Sequence, residues 1–145
     1  MKKLLAVATA TVMMLGTGLA VAGSYSKQKV AYHVNYDNAK RQSGAMRNIQ
    51  NHINAVGAEN LDLRIIMHGK GVSLLMKANS DANFESKVVS LKSQKVAFKV
   101  CKNTLRGKKI DYKSDLFDVD ESDIVPSGVA ELAHLQQKGF AYIRP

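Results

Sequence analysis

The chain has one cysteine, two prolines, no tryptophan and an aromatic content of only 6%. A single cysteine excludes an internal disulfide framework, a multi-cysteine zinc or iron–sulfur cage, a CxxC redox pair and the CxxCH pattern of covalent haem attachment. Stability must therefore come from a packed core, and 145 residues with 46% hydrophobic content suffice for one domain of ordinary size. Basic residues outnumber acidic ones by 21 to 12, a net charge of +9, yet they are scattered and form no unbroken tract of the kind that binds nucleic acid. No nucleic-acid partner is expected. Gly69-Lys70-Gly71 lacks the framework of a P-loop, and no three spaced glycines follow the first strand-like run. That tripeptide reads as a tight turn in which glycine accepts positive φ, and no cofactor is expected.

The one long apolar run lies at the start. Lys2 and Lys3 precede the uncharged stretch from Leu4 to Leu19, and Ala20-Val21-Ala22 offers small residues at the positions a signal peptidase reads. The pattern predicts a secretory signal peptide over residues 1–22 and a single domain over 23–145. The run is short and rich in Gly and Thr for a membrane span, and no basic stop-transfer cluster follows it. A periplasmic or secreted protein that does not span the membrane after cleavage is expected. Removing 22 of 145 residues leaves 123, and loss of Lys2 and Lys3 lowers the net charge from +9 to +7. Paired arginines of a Tat signal are absent, so the chain is expected to cross unfolded and to acquire any ligand outside.

Beyond the signal, strand-like and helix-like segments alternate. Lys29 to Val34 reads as a strand ending in the turn and cap residues Asn35 to Asn38. From Ala39 to Val56 the apolar residues Met46, Ile49, Ile53 and Val56 recur at helical spacing, and Gly57 closes the helix. Leu61 to Met67 reads as a second strand, followed by His68-Gly69-Lys70-Gly71 and an apolar turn from Val72 to Met76. A helix over 84–92 and a third strand, Lys95 to Val100, deliver Cys101 to the start of another helix. Six of the twelve acidic residues fall between Asp111 and Asp123 without periodicity, which reads as a surface loop. Ile124-Val125 reads as a fourth strand, Pro126-Ser127-Gly128 as the start of a helix turning Val129, Leu132 and Leu135 inward, and Phe140 to Ile143 as a last strand. Ser24 to Gln28 reads as a frayed terminus, and His52 and His134 as solvent-side helix residues. This order predicts an α/β fold with a doubly wound, mostly parallel five-stranded sheet and helices on both faces.

In open parallel sheets, ligands bind beyond the carboxyl ends of the strands. Three such ends supply His33, Asn35 and Asp37, then His68 and Gly69, then Cys101, Asn103 and Thr104. A thiol between a strand end and a helix start lies near unpaired N–H groups that favour the thiolate. Lys99 and Lys102, which flank Cys101, would push the same way. Cys101 is thus the candidate catalytic residue, with His33, Asn35, His68, Gly69, Lys99, Lys102, Asn103 and Thr104 as candidate ligand-binding residues. Free cysteine is also commonly buried and inert, so a structural Cys101 stands beside the reactive one.

The segments Val100 to Leu105, Ile124 to Leu132 and Leu135 to Pro145 together resemble the exported branch of the DsrE/DsrF-like proteins, and the likeness covers nearly all of residues 23–145. The resemblance implies a flavodoxin-like sheet, assembly into homo-trimers or homo-hexamers, and a cysteine that carries sulfur as a persulfide. Cys101 would be that residue, and its partner a small sulfur species or a thiol-bearing protein. The relay members work in a reducing cytoplasm, whereas an exported thiol meets an oxidising space. A non-catalytic, oligomeric ligand- or partner-binding protein is the alternative. A Cys101/His33/His68 site for zinc or copper is a third reading, although no metal is expected. Asp118, Asp120, Glu121 and Asp123 lack the spacing of a calcium loop.

Overall fold

Residues 25–145 are described by a computed structural model, and the expected signal sequence over 1–22 lies outside the described residues. Five strands, β1 (Gln28–Val34), β2 (Leu61–Met67), β3 (Ala97–Cys101), β4 (Ile124–Val125) and β5 (Ala141–Ile143), form one sheet in the order β4-β3-β2-β1-β5. Every neighbouring pair is parallel. Six helices connect them: α1 (Ala39–Val56), α2 (Ser73–Ala78), α3 (Ala82–Ser93), α4 (Lys102–Lys108), α5 (Tyr112–Asp115) and α6 (Gly128–Gln137). The chain winds outward from β1 to β4, then crosses back through α6 to place β5 on the far side of β1. Right-handed crossovers in opposite directions put their helices on opposite faces. This is the doubly wound α/β architecture that the alternation predicts and the flavodoxin-like sheet that the family resemblance implies. No helix of the described residues is long and apolar enough to cross a membrane.

The two faces are covered unequally. On the first, Met46, Ile49 and Ile53 of α1, Leu74 and Leu75 of α2 and Val88 and Leu91 of α3 bury alternate strand residues such as Tyr32, Ile65 and Phe98. On the second, α6 and the residue before β5 supply only Leu132, Leu135 and Phe140, packed on Ala31 and Ile66. Each such buried side chain contributes roughly 1.5–3 kcal/mol, so most of the burial energy sits on the first face.

Helix starts follow their cap residues. Asn38 accepts from the Arg41 N–H at 2.8 Å, Asp81 from Asn83 at 2.8 Å, and Ser127 from Ala130 at 3.4 Å. The β2 to α2 connection requires glycine at position 71 because a Cβ there would lie 1.9 Å from the Val34 carbonyl oxygen. Gly69 adopts φ +55, as the tight-turn reading expects.

Several local expectations need correction. Gln28 is not frayed: it pairs with Leu61 as the first residue of β1. Val72 to Met76 runs from a 3₁₀ turn into α2. The segment 111–123 holds α5 and a 3₁₀ turn at Glu121–Asp123, and its acids act as caps, Asp111 for α5 and Asp120 with Asp123 in a reciprocal capping box. Leu116 from this segment is buried in the core. Val129, expected inward, is 63% exposed, because Leu132 and Leu135 define the inner stripe of α6. His134 is exposed, but His52 is half-buried and bridges the Tyr32 hydroxyl (2.8 Å) and Gln28 Oε1 (2.7 Å).

Candidate functional site

Strand register brings the candidate side chains into a row across the second face. Met67 pairs with Val100, so the residues that follow them, His68 and Cys101, are neighbours at the carboxyl ends of β2 and β3. Alternation along β1 turns Tyr32 to the first face and His33 to the second. In β5, Tyr142 lies opposite Ala31, and its hydroxyl meets His33 Nδ1 at 2.7 Å. His33 Nε2 meets His68 Nε2 at 2.7 Å. The ring centroids are 4.8 Å apart with planes 24° from parallel. That separation exceeds the nitrogen distance by about two ring radii, so the imidazoles meet tip to tip rather than face to face. The order across the sheet is Tyr142, His33, His68, Cys101.

Cys101 ends β3 and stands at the N-cap position of α4. It is 5% exposed. Burial pushes its thiol up, but the N–H of Gly128, the hydroxyl and N–H of Thr104 and the N–H of Asn103 outweigh it and hold the thiol below its ordinary value. The Thr104 hydroxyl accepts from the Gly69 N–H at 2.8 Å, which leaves its own proton to point at the sulfur. A cysteine in that setting can hold a thiolate, or the terminal anion of a persulfide, with donors of the main chain.

The other candidates divide into those the fold gathers and those it does not. His33, His68, Gly69, Asn103 and Thr104 belong to the row or to the donors around the sulfur. Asn35 is turned to the chain end, where its Oδ1 accepts from Arg144 at 3.0 Å. Lys99 donates to the Ser122 carbonyl (2.9 Å) and pairs with Asp123 (3.2 Å). Lys102 is exposed and lines two clefts beside α4, of about 450 and 290 Å³, neither of which Cys101 lines. The thiol is therefore lowered by amides, as its place before a helix suggests, and by a hydroxyl, while the flanking lysines do not contribute. Among the described residues, no group of three or more His, Cys, Asp or Glu is arranged to hold a metal ion. The 2.7 Å between the two Nε2 atoms is a hydrogen-bond distance, too short for two nitrogens each about 2.0 Å from one tetrahedral zinc.

The profile of the DsrE/DsrF-like family matches residues 28–145. The chain belongs to that family. It is also similar, at 31% identity and a TM-score of 0.71, to the solved structure of MTH1491, a protein of unknown function from Methanobacterium thermoautotrophicum, over 82% of this chain and 100% of that one. No curated protein matches it.

Two residues at this row in the DsrE/DsrF-like chain are not announced by the sequence pattern. Tyr142 was placed in a strand but not near His33, because only the strand order sets β5 beside β1. Gly128 was read as part of a helix start. A Cβ at Gly128 would lie 2.9 Å from His68 Cβ and 3.3 Å from Cys101 Cβ. Glycine lets the start of α6 close over both side chains and aim its N–H at the sulfur. The Pro-Ser-Gly start of α6 carried the signal for a tight approach, but nothing in it named the residues approached.

Proposed function

We propose that this protein is an exported DsrE/DsrF-like sulfur-binding protein in which Cys101 binds or relays a small sulfur species as a persulfide. The observation that carries the reading is the place of Cys101 at the start of α4, with Gly128 packed against it and Asn103 and Thr104 following it, a setting that holds its thiol below the ordinary value. In the loading step the thiolate attacks a sulfane sulfur, the bond from Cys101 to that sulfur forms, and the donor's S–S bond breaks with its electron pair leaving on the departing sulfur. The terminal persulfide anion is then held by the same N–H groups until an acceptor thiol takes the outer sulfur. Export through the 1–22 signal places this exchange in the periplasm or outside the cell, and the donor or acceptor is a small sulfur species or a thiol-bearing protein. A homo-trimer or homo-hexamer is the assembly proposed with it.

Treating the purified protein with polysulfide under anaerobic conditions and weighing it intact should show one added sulfur that is absent in Cys101→Ser. An unmodified mass overturns the proposal. The 5% exposure of Cys101 favours a second reading, a ligand- or partner-binding protein of the envelope with a structural cysteine. That reading predicts no adduct and slow alkylation of the native thiol.

A further inference from the structure

We infer that Tyr142, His33 and His68 form a reversible proton relay that connects solvent to the sulfur-exchange site beside Cys101. The inference rests on the sulfur-carrier reading of Cys101 and assigns the handling of protons in that exchange to residues outside the cysteine motif.

The chemistry follows from the way the row ends. Two neutral imidazoles that meet Nε2 to Nε2 share one proton between those atoms, so exactly one ring donates and the tautomers of the two are locked together. With the shared proton on His33, the Tyr142 hydroxyl donates to His33 Nδ1, and His68 carries its own proton on Nδ1. With the shared proton on His68, His33 Nδ1–H donates to the phenol oxygen, and His68 Nδ1 is a bare lone pair. A hydroxyl serves both arrangements because it donates and accepts equally well. At the other end, His68 Nδ1 has no hydrogen-bond partner among the described residues and is not sealed off from solvent. The outer end is open as well, for Tyr142 is 43% exposed while His33 is 8% exposed. Burial holds both imidazoles below the ordinary histidine range, His33 down to about 4 with help from the charges of His68 and Arg144, so both rings are neutral at pH 7.

During loading, Cys101 attacks as the thiolate, the form its surrounding donors favour. The group that needs a proton is the departing sulfur of the donor. His68 Nδ1–H supplies it as the donor's S–S bond breaks. In the same movement His68 Nε2 takes the His33 Nε2 proton, His33 Nδ1 takes the Tyr142 proton, and the phenol is refilled from water. A neutral imidazole is a poor acid alone, but one that gains a proton at one nitrogen as it loses one at the other never becomes an anion. One solvent proton ends on the departing thiol, and the row is left in its second arrangement. That arrangement suits the second half of the exchange. The acceptor thiol gives its proton to the bare His68 Nδ1 and attacks the outer sulfur of the persulfide. Cys101 leaves as thiolate with the electron pair of its S–S bond, and the row returns one proton to solvent through Tyr142.

The test compares two persulfide donors, one whose departing thiol is an alkyl thiol and one whose departing thiol is an aryl thiol. An alkyl thiolate is the poorer leaving group and depends on protonation, while an aryl thiolate departs readily without it. In Tyr142→Phe and His68→Gln, anaerobic sulfur loading followed by intact mass is expected to slow about a hundredfold more for the alkyl donor than for the aryl donor, the low end of general acid effects. Equal slowing of both donors, or none, overturns the relay while leaving the cysteine reading intact. Loading from neither donor in the unaltered protein removes the cysteine reading and the relay together. The ¹⁵N spectrum of the histidines gives a readout that requires no sulfur. Removing the Tyr142 hydroxyl, whose one side-chain hydrogen bond among the described residues is to His33, should change the protonation balance at the His68 nitrogens, and unchanged His68 shifts overturn the coupling.

Discussion

Consecutive residues of β1, Tyr32 and His33, point to opposite faces of the sheet, and each belongs to a tyrosine–histidine row. On the first face Tyr32 donates to His52, and His52 Nε2–H donates to the Gln28 amide oxygen. An amide oxygen only accepts, so that row has one direction and one tautomer. On the second face Tyr142, His33 and His68 end in a hydroxyl and an open imidazole nitrogen, and no group fixes the direction. The same residue types thus make a clamp in one place and a reversible device in the other. What distinguishes them is the terminus, not the burial of the histidine.

Acid should break the second row with the largest effect. His33 titrates near 6.5 when unfolded and at about 4 in the fold, so between those values the unfolded chain binds the extra proton. Its contribution to stability is complete above about pH 6.5 and is lost as pH falls toward 4. The difference amounts to about 3 kcal/mol. Urea midpoints at pH 7 and pH 4.5 should diverge by less in His33→Gln than in the unaltered protein, and equal divergence would refute the assignment.

Removing one hydroxyl from each row sharpens the contrast. Tyr32→Phe strips the half-buried His52 of its Nδ1 partner and is expected to cost about 1–2 kcal/mol in denaturant unfolding, with sulfur loading at Cys101 unaffected. Tyr142→Phe, at an exposed position, should change stability by less than about 0.5 kcal/mol, its effect appearing in the kinetics described above. A reversal of that order would mean that the second row is the structural one. Smaller still, Thr104→Val removes a hydroxyl that favours the thiolate. The pH midpoint of Cys101 alkylation should move upward, whereas Tyr32→Phe should leave it in place.

Much of this layout could be read from the chain. The strand runs and the helical spacing of Met46, Ile49, Ile53 and Val56 are local patterns, and they placed β1, α1 and β2 within a residue or so. Cys101 was legible at a strand end for the same reason. Convergence was not, because Tyr142 reaches His33 only through a strand order that no periodicity encodes. His52 was misread although it lies three residues beyond Ile49, on the flank of the apolar stripe, where a side chain reaches the sheet edge. Lys99 was misread because its acidic partner Asp123 lies in a segment whose charges looked merely solvated; those acids proved to be caps and ion-pair partners.

Cys101 begins α4 yet forms no side-chain cap as a thiol, since a neutral S–H is a weak acceptor. Losing its proton turns the sulfur into a strong acceptor for the nearby amides, so the charge on one atom decides how well they are paired. Serine would close that turn at every pH, and Cys101→Ser should melt later than the natural chain, by the equivalent of about 0.5–1 kcal/mol. The natural chain forgoes that rigidity and keeps, at the head of α4, an acceptor whose strength is set by its own protonation.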